Sequence, residues 1–173
     1  MQGANYMNIV IYLQAAQPFF SIKETHIQII KSKLPQHNIH IISDMAECDF
    51  CTISDMDIYF GWDFPKEWIS IVKKLKFVVI ATAGTDHVPV EALAHMNIPV
   101  ISGARYHGIP MTEQILLYIL GFSRGIFQTF GFQHNKKWWD DDIQKCFFDI
   151  YGSVMTILGC GIIGKQLAKT VMS

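Results

Sequence analysis

The chain has 173 residues, of which 50% are hydrophobic and 17% charged, and its formal net charge is −1. This balance is typical of a globular protein with a substantial core. The 14 lysines and arginines are scattered along the chain, so there is no basic stripe of the kind that nucleic acid requires. No apolar run approaches the roughly 20 residues of a membrane span, and no positive segment precedes an apolar run at the N-terminus. We therefore expect a cytoplasmic protein that binds neither nucleic acid nor membrane.

Four cysteines are present, and Cys48 and Cys51 form a C-x-x-C pair. A zinc site needs two further ligands at suitable spacing, and Cys146 and Cys160 lack the spacing of a second zinc knuckle. A redox pair needs a helix that begins at the first cysteine, which the pattern does not indicate. We therefore expect reduced thiols and no metal site, with the zinc and redox interpretations as the alternatives.

Short apolar segments alternate with helical patterns over the first hundred residues. The expected strands are 8–13, 39–42, 57–60, 77–81 and 98–102. Strands joined by helical crossovers form a parallel, doubly wound α/β sheet, here in the flavodoxin-like order 2-1-3-4-5. Ligands of such sheets bind where the strands end, so the expected site includes Thr82 to Asp86 and Ser102 to Gly108.

Capping residues predict where two of the crossover helices begin. Ser21 and Glu24 have the S-x-x-E spacing of a capping box, and Pro35 ends the helix that follows. Asp63 is the predicted cap of a second helix, whose apolar face lies within 64–75.

Two further helices are predicted after the fourth strand. Pro89 opens a short helix that Asn97 closes. A longer helix, from Pro110 to Arg124, is apolar on nearly every side. A helix of this kind is buried on every side, so we expect a second domain or a second subunit to cover it. Residues 127–142 are interpreted as a connection with a helical start.

A glycine motif follows the last predicted strand, 153–158. Residues 159–164 have the sequence G-C-G-I-I-G, and a helix is predicted from Lys165. This is G-x-G-x-x-G in the context that a dinucleotide-binding fold requires, with a strand before it and a helix after it. An ordinary strand-turn-helix is the alternative.

Each glycine of this motif has an expected structural role. Gly159 permits the tight turn, Gly161 lets the backbone approach a pyrophosphate, and Gly164 lets helix and strand pack closely. The pyrophosphate would lie on the N-terminus of the helix. The acidic residue that contacts the ribose is expected about 20 residues downstream, beyond Ser173, so the cofactor is either NAD or NADP.

Several blocks of the sequence stand in a characteristic order and spacing; they are Leu75–Val88, Asn97–Val100, Thr112 with Glu113, Arg124, Trp138 and the glycines of 159–164. Taken together, these blocks resemble the D-isomer-specific 2-hydroxyacid dehydrogenases, the family of formate, phosphoglycerate, glycerate and D-lactate dehydrogenases. The resemblance covers about residues 55–173 clearly and the first 50 residues only by their strand-helix pattern.

The resemblance implies substrate-binding and cofactor-binding residues. Ala83 and Gly84 match the loop whose backbone contacts the substrate carboxylate. The residues Gly159, Gly161, Ile162, Ile163 and Gly164 match the cofactor loop. Ile162 departs from the family, which commonly has Arg or another polar residue there.

His107 and Ser102 stand where many members of the family have Asn. His107 therefore has two interpretations, a substrate-binding residue and a loop histidine without a ligand.

The resemblance also implies a division into domains. Residues 1–108 match the flavodoxin-like substrate-binding domain, and 109–150 match the connection that carries the dimer helix. Residues 151–173 match the beginning of a Rossmann domain. The helix from Pro110 would then form a homodimer.

The catalytic Arg, Glu and His of the family lie beyond the glycine motif, and no catalytic residue is expected in this chain. The resemblance implies the N-terminal part of an NAD(P)-dependent oxidoreductase that interconverts a 2-hydroxy acid and a 2-keto acid, or formate and CO2. We expect this chain to be a fragment that is inactive alone. A non-catalytic, truncated paralogue or dimerisation module is the alternative, and a different Rossmann class is a more distant one.

Overall fold

The structure is a computed structural model that describes residues 6–44, 48–138, 145 and 147–172. Two compact units divide the chain, residues 1–104 and residues 105–173, and each unit is considered by itself. Cys146 and residues 139–142 of the expected connection lie outside the described residues.

The first unit alternates strands and helices. Its elements are β1 (Asn8–Tyr12), α1 (Glu24–Lys33), β2 (Asn38–Ile41), α2 (Phe50–Asp55), β3 (Ile58–Gly61), β4 (Phe77–Ile80), α3 (Val90–His95) and β5 (Val100–Ser102). Two 3-10 helices, Pro18–Phe20 and Lys66–Ser70, lie between them.

All five strands are parallel and lie in the order β2-β1-β3-β4-β5. The predicted α/β class and the predicted strand order are therefore confirmed. Because the strands are parallel, their carboxyl ends share one edge of the sheet. The loops that follow β1, β3 and β4 meet at that edge.

Side chains from the two faces of the sheet enter two separate hydrophobic clusters. On one face, the buried cluster includes Val10, Tyr59, Val78, Trp68 and Leu93. On the other face the buried cluster is Ile9, Ile11, Leu13 and Ile58, with Trp62 and residues of α1 packed against it. Burial on both faces explains why the inner strands β1, β3 and β4 are short apolar runs without alternation.

The phenol of Tyr59 lies in the centre of the first cluster. The Tyr59 side chain is fully buried, and its ring meets Phe64 and Trp68 edge to face, with centroids 5.4 Å away in each case. Burial, reinforced by the Asp63 carboxylate, raises the pKa of Tyr59 well above its usual range. Its hydroxyl makes no hydrogen bond to any described residue, so a polar group remains unpaired in the core.

We expect Tyr59→Phe to raise the free energy of unfolding by about 1 kcal/mol, because it removes an unpaired buried hydroxyl and keeps the ring contacts. Urea denaturation followed by circular dichroism measures the change. Tyr12→Phe, which alters a half-buried tyrosine of the neighbouring strand, is the matched control and should be neutral. A Tyr59→Phe variant less stable than the unaltered chain would contradict this account.

Both predicted helix caps are wrong. Helix α1 begins at Glu24 after Lys23, whose backbone N–H donates to His26 Nδ1 at 3.3 Å. The hydroxyl of Ser21 instead bonds both backbone groups of Ala15. Asp63 caps nothing, since the next helix is the short 3-10 segment that follows Pro65.

Helix α2 was not predicted, because its six residues are too few for a hydrophobic period. Asp49 caps this helix by accepting a hydrogen bond from the N–H of Thr52 at 2.6 Å. This contact lowers the pKa of Asp49.

The second unit contains α4 (Gly108–Ser123), α5 (Ile126–His134) and α6 (Ile162–Val171). Helix α4 packs against α6, and Gly108 allows the close approach, since a Cβ there would lie 3.3 Å from Ile162 Cγ2. Many apolar side chains of α4 are exposed within this chain; they are Ile109, Met111, Leu117, Tyr118, Leu120 and Phe122. No helix in the described part of the chain is both long and apolar enough to cross a membrane.

The predicted strand 153–158 does not form in this structure. A strand needs a neighbour with which to exchange backbone hydrogen bonds. The five strands of the described sheet all belong to the first unit, so this segment has none. Val154 and Leu158 are 94% and 95% exposed, because this segment is not paired with any described strand.

Candidate functional site

The loop after β4 presents two bare backbone N–H groups. Ala83 and Gly84 are exposed, and neither N–H donates a hydrogen bond to another described residue. The Thr82 hydroxyl donates to the carbonyl oxygen of Gly84 at 2.7 Å and closes the turn. Unpaired N–H groups in a turn at the end of a strand suit an anion.

The residue that follows β5 is hydrogen-bonded to this loop. The N–H of Gly103 donates to the Thr82 carbonyl oxygen at 2.8 Å. A Cβ at Gly103 would collide with the carbonyl group of Ala81. The sequence analysis missed Gly103, because a close backbone approach leaves no local signal other than the glycine itself.

A histidine connects the same loop to the neighbouring strand. His87 Nε2 donates to the backbone carbonyl oxygen of Trp62 at 2.8 Å. Trp62 is the first residue after β3, and His87 comes three residues after Gly84. This hydrogen bond fixes the spacing between the two loops, a role that the sequence analysis did not assign to His87.

His107 belongs to the second unit, whereas Ala83 and Gly84 belong to the first. It ends the 3-10 helix Gly103–His107 and occupies the N-cap position of α4. Its ring is half-buried and makes no capping hydrogen bond. His107 as a substrate-binding residue therefore stays a prediction.

The glycine loop has the local geometry that its motif requires. Gly159 has φ +96°, a left-handed conformation that favours glycine. Gly161 is the N-cap of α6, and nothing lies within 4 Å of the position that its Cβ would occupy. A Cβ at Gly164 would collide with the carbonyl oxygen of Gly159 and would lie 3.3 Å from Ile157 Cγ2.

The first backbone N–H groups of α6 have no acceptor inside the helix. They belong to Ile162, Ile163 and Gly164. The residue before them is Gly161, which has open space where a side chain would lie. This arrangement, an open glycine in front of free N–H groups at the positive end of a helix, fits a pyrophosphate.

The C-x-x-C pair lacks the features of a reactive site. Burial raises the pKa of the Cys48 thiol, and the Asp49 carboxylate raises it further, which disfavours the thiolate that redox and metal chemistry need. Cys48, Cys51 and Cys160 are all free thiols. Among the described residues, no group of three or more His, Cys, Asp or Glu side chains is arranged to hold a metal ion.

Curated proteins with similar sequences are dehydrogenases that are considerably longer than this chain. The formate dehydrogenase of Pichia angusta is 27% identical over 128 residues, which cover 70% of this chain and 35% of that protein. The D-3-phosphoglycerate dehydrogenase of Methanocaldococcus jannaschii is 24% identical over 154 residues, which cover 82% of this chain and 29% of that protein. The chain thus spans about a third of the length of these relatives.

The fold is shared with solved dehydrogenases. A D-lactate dehydrogenase from Treponema pallidum superposes with a TM-score of 0.71 at 17% identity, over 96% of this chain and 50% of that one. The sequence model of the family "D-isomer specific 2-hydroxyacid dehydrogenase, catalytic domain" matches residues 9–135 of this chain. This match covers more than half of the chain, which therefore belongs to the D-isomer-specific 2-hydroxyacid dehydrogenase family.

Proposed function

We propose that this chain supplies the substrate-carboxylate loop and the pyrophosphate loop of an NAD(P)-dependent dehydrogenase that interconverts a 2-hydroxy acid and a 2-keto acid. The observation that carries the proposal is the pair of unpaired N–H groups of Ala83 and Gly84 at the carboxyl edge of the sheet. In open parallel sheets this edge is where ligands bind.

The loop after β4 would bind the carboxylate through its backbone. Ala83 and Gly84 offer two donors from consecutive residues, and the Thr82 hydroxyl holds their turn in place. Donors that are fixed before binding need no reorganisation when the anion arrives. Backbone N–H groups cannot lose their protons near neutral pH, so this part of the site should bind a carboxylate independently of pH.

The glycine loop would hold the pyrophosphate of NAD or NADP. The N–H groups of Ile162, Ile163 and Gly164 would be the donors, and the open side of Gly161 would admit the phosphates. The nicotinamide supplies or accepts the hydride in this chemistry. Ile162 adds no charge to the phosphate site, so its own contribution would be its backbone N–H at the positive end of the helix.

Proton transfer needs groups that the resemblance assigns to the sequence after the glycine motif. A histidine would exchange the proton of the substrate hydroxyl, a glutamate would orient that histidine, and an arginine would hold the substrate. We propose that the described residues of this chain bind and orient the substrate and the cofactor.

The exposed apolar face of α4 is the proposed homodimer contact. Several apolar side chains of α4, among them Leu117, Leu120 and Phe122, are exposed within this chain, and exposed apolar surface of this kind marks an interface.

The proposed function is tested on the protein from its native cells, captured with an antibody to residues 1–100. We expect the captured material to oxidise NADH or NADPH when a 2-keto acid is added and to contain the catalytic Arg, Glu and His in the same chain or in a second one. Intact mass shows whether the captured chain exceeds 19.7 kDa or is joined by a second chain, and sequencing of its peptides by mass spectrometry identifies those residues. Material of 19.7 kDa that has no second chain and oxidises neither cofactor would contradict the proposal.

The alternative is a non-catalytic dimerisation module, which the exposed face of α4 favours. It predicts a dimer in light scattering and no affinity for a dinucleotide or a 2-keto acid. Affinity for either ligand would exclude the alternative.

A further inference from the structure

Two exposed phenylalanines and the half-buried Trp62 form a row of ring contacts at the carboxyl edge of the sheet. Phe19 and Phe20 lie in the loop after β1, and Trp62 follows β3. The rings of Phe19 and Phe20 meet edge to face at 5.2 Å, and those of Phe20 and Trp62 meet edge to face at 6.4 Å. Phe19 is 79% exposed and Phe20 is 50% exposed. We call these three residues the aromatic wall.

Hydrogen bonds join the two ends of the loop that carries the two phenylalanines. The Ser21 hydroxyl accepts from the N–H of Ala15 at 3.0 Å and donates to the carbonyl oxygen of the same residue at 3.3 Å. The N–H of Ile22 donates to the Leu13 carbonyl oxygen at 2.8 Å. These hydrogen bonds fix the loop, and the fixed loop holds the two phenylalanines in their exposed positions.

The sheet places Trp62, at one end of the aromatic wall, beside the start of the carboxylate loop. Gly61 is paired with Ile80 in the sheet, and the N–H of Ala81 donates to the carbonyl oxygen of Gly61 at 2.8 Å. Trp62 is thus one strand spacing, about 4.8 Å, from the start of the carboxylate loop. The hydrogen bond from His87 to the Trp62 carbonyl oxygen keeps that spacing.

The segments next to the loop carry few charges. The segments 13–22, 62–65 and 81–86 contain no lysine and no arginine, and their only charged residues are Asp63 and Asp86. Both aspartates are exposed. One lysine, Lys66, follows the second segment and lines a pocket with Thr85, Asp86 and His87. A phosphorylated substrate would need several cations or further N–H donors, whereas here two carboxylates outnumber this single lysine.

We propose that the substrate is a 2-keto or 2-hydroxy acid whose side chain is aromatic or bulky and apolar, with the carboxylate at Ala83 and Gly84 and the side chain against the aromatic wall. The inference rests on the proposed function, because it takes the position of the carboxylate from it. The edge-to-face rings offer an aryl group both faces and edges, the arrangements that aromatic pairs prefer.

The test compares three acids on the 173-residue chain, with dissociation constants from ligand-observed NMR. The acids are pyruvate, phenylpyruvate and 3-phosphoglycerate. We expect phenylpyruvate to bind roughly three- to tenfold more tightly than pyruvate, the range expected for one aromatic contact, and 3-phosphoglycerate to bind no more tightly than pyruvate. Phe20→Ala should remove most of this preference by weakening the binding of phenylpyruvate.

Two further variants make the test specific. Phe19→Ala alters a more exposed ring of the same wall and should also weaken the preference. Phe50→Ala removes an exposed aromatic ring from α2, which packs on the other face of the sheet, and should leave the preference intact.

Equal affinities for pyruvate and phenylpyruvate would overturn this inference and leave the proposed function standing. So would a preference that survives both Phe19→Ala and Phe20→Ala. Failure of all three acids to bind would overturn the proposed function as well.

Discussion

Replacing Gly103 by alanine is expected to lower the free energy of unfolding by about 3 kcal/mol, the upper range for an overpacked position. The new Cβ would collide with the carbonyl group of Ala81, which is backbone and cannot rotate away. The ends of β4 and β5 would have to separate, and the hydrogen bond from Gly103 to Thr82 would be lost. Urea denaturation measures the loss.

Gly84→Ala is the matched control for this prediction. A Cβ at Gly84 meets only Asp86 Oδ2, at 3.7 Å, which is an ordinary contact. Its stability should stay within about 0.5 kcal/mol of the unaltered chain. If the two variants were equally stable, the close approach of Gly103 to Ala81 would be refuted.

Replacing Gly164 by alanine is expected to reduce the affinity for NADH at least about tenfold, because a misplacement near 1 Å at a positioned ligand is costly. The Cβ would collide with the carbonyl oxygen of Gly159, which must then move. That movement displaces the turn in front of α6 and the N–H groups that would bind the pyrophosphate. Titration of the chain with NADH by calorimetry measures the affinity.

Alanine substitutions at two other glycines show whether the loss of NADH affinity comes from crowding inside the glycine loop. A Cβ at Gly161 meets nothing within 4 Å, so Gly161→Ala should keep the fold. It should still lower the affinity for NADH, because the new methyl group would occupy space that the phosphates need. Gly131→Ala lies in α5, also with nothing within 4 Å, and should leave the affinity unchanged. NADH that bound equally well to Gly164→Ala and to the unaltered chain would refute the proposed role of the loop.

The sheet was predictable because its inner strands β1, β3 and β4 are short apolar runs covered on both faces. A segment such as 77–80 has no other stable place than the middle of a parallel sheet. The strand order was predicted by analogy with flavodoxin-like domains, because the sequence does not specify which strands are neighbours. The same signal failed at 153–158, because an apolar run predicts a strand only where a neighbour exists to pair with it.

The candidate site was predictable only in part. Ala83, Gly84 and the glycines of 159–164 follow strand-like segments and carry a sequence signature. Gly103 and His87 do not, since their roles arise from backbone approaches and hydrogen bonds between distant loops. Ser21 shows the same limit, because its hydroxyl closes a loop instead of capping the helix.

The central claim is that the loop after β4 binds a carboxylate through its backbone, and protein-observed NMR tests it most directly. The isotope-labelled 173-residue chain would be titrated with oxamate, a 2-keto acid analogue. We predict that the amide signals of Ala83 and Gly84 shift saturably and more than any others in residues 6–104. Shifts concentrated elsewhere in the sheet unit, or no saturable shift at those two amides, would contradict the account.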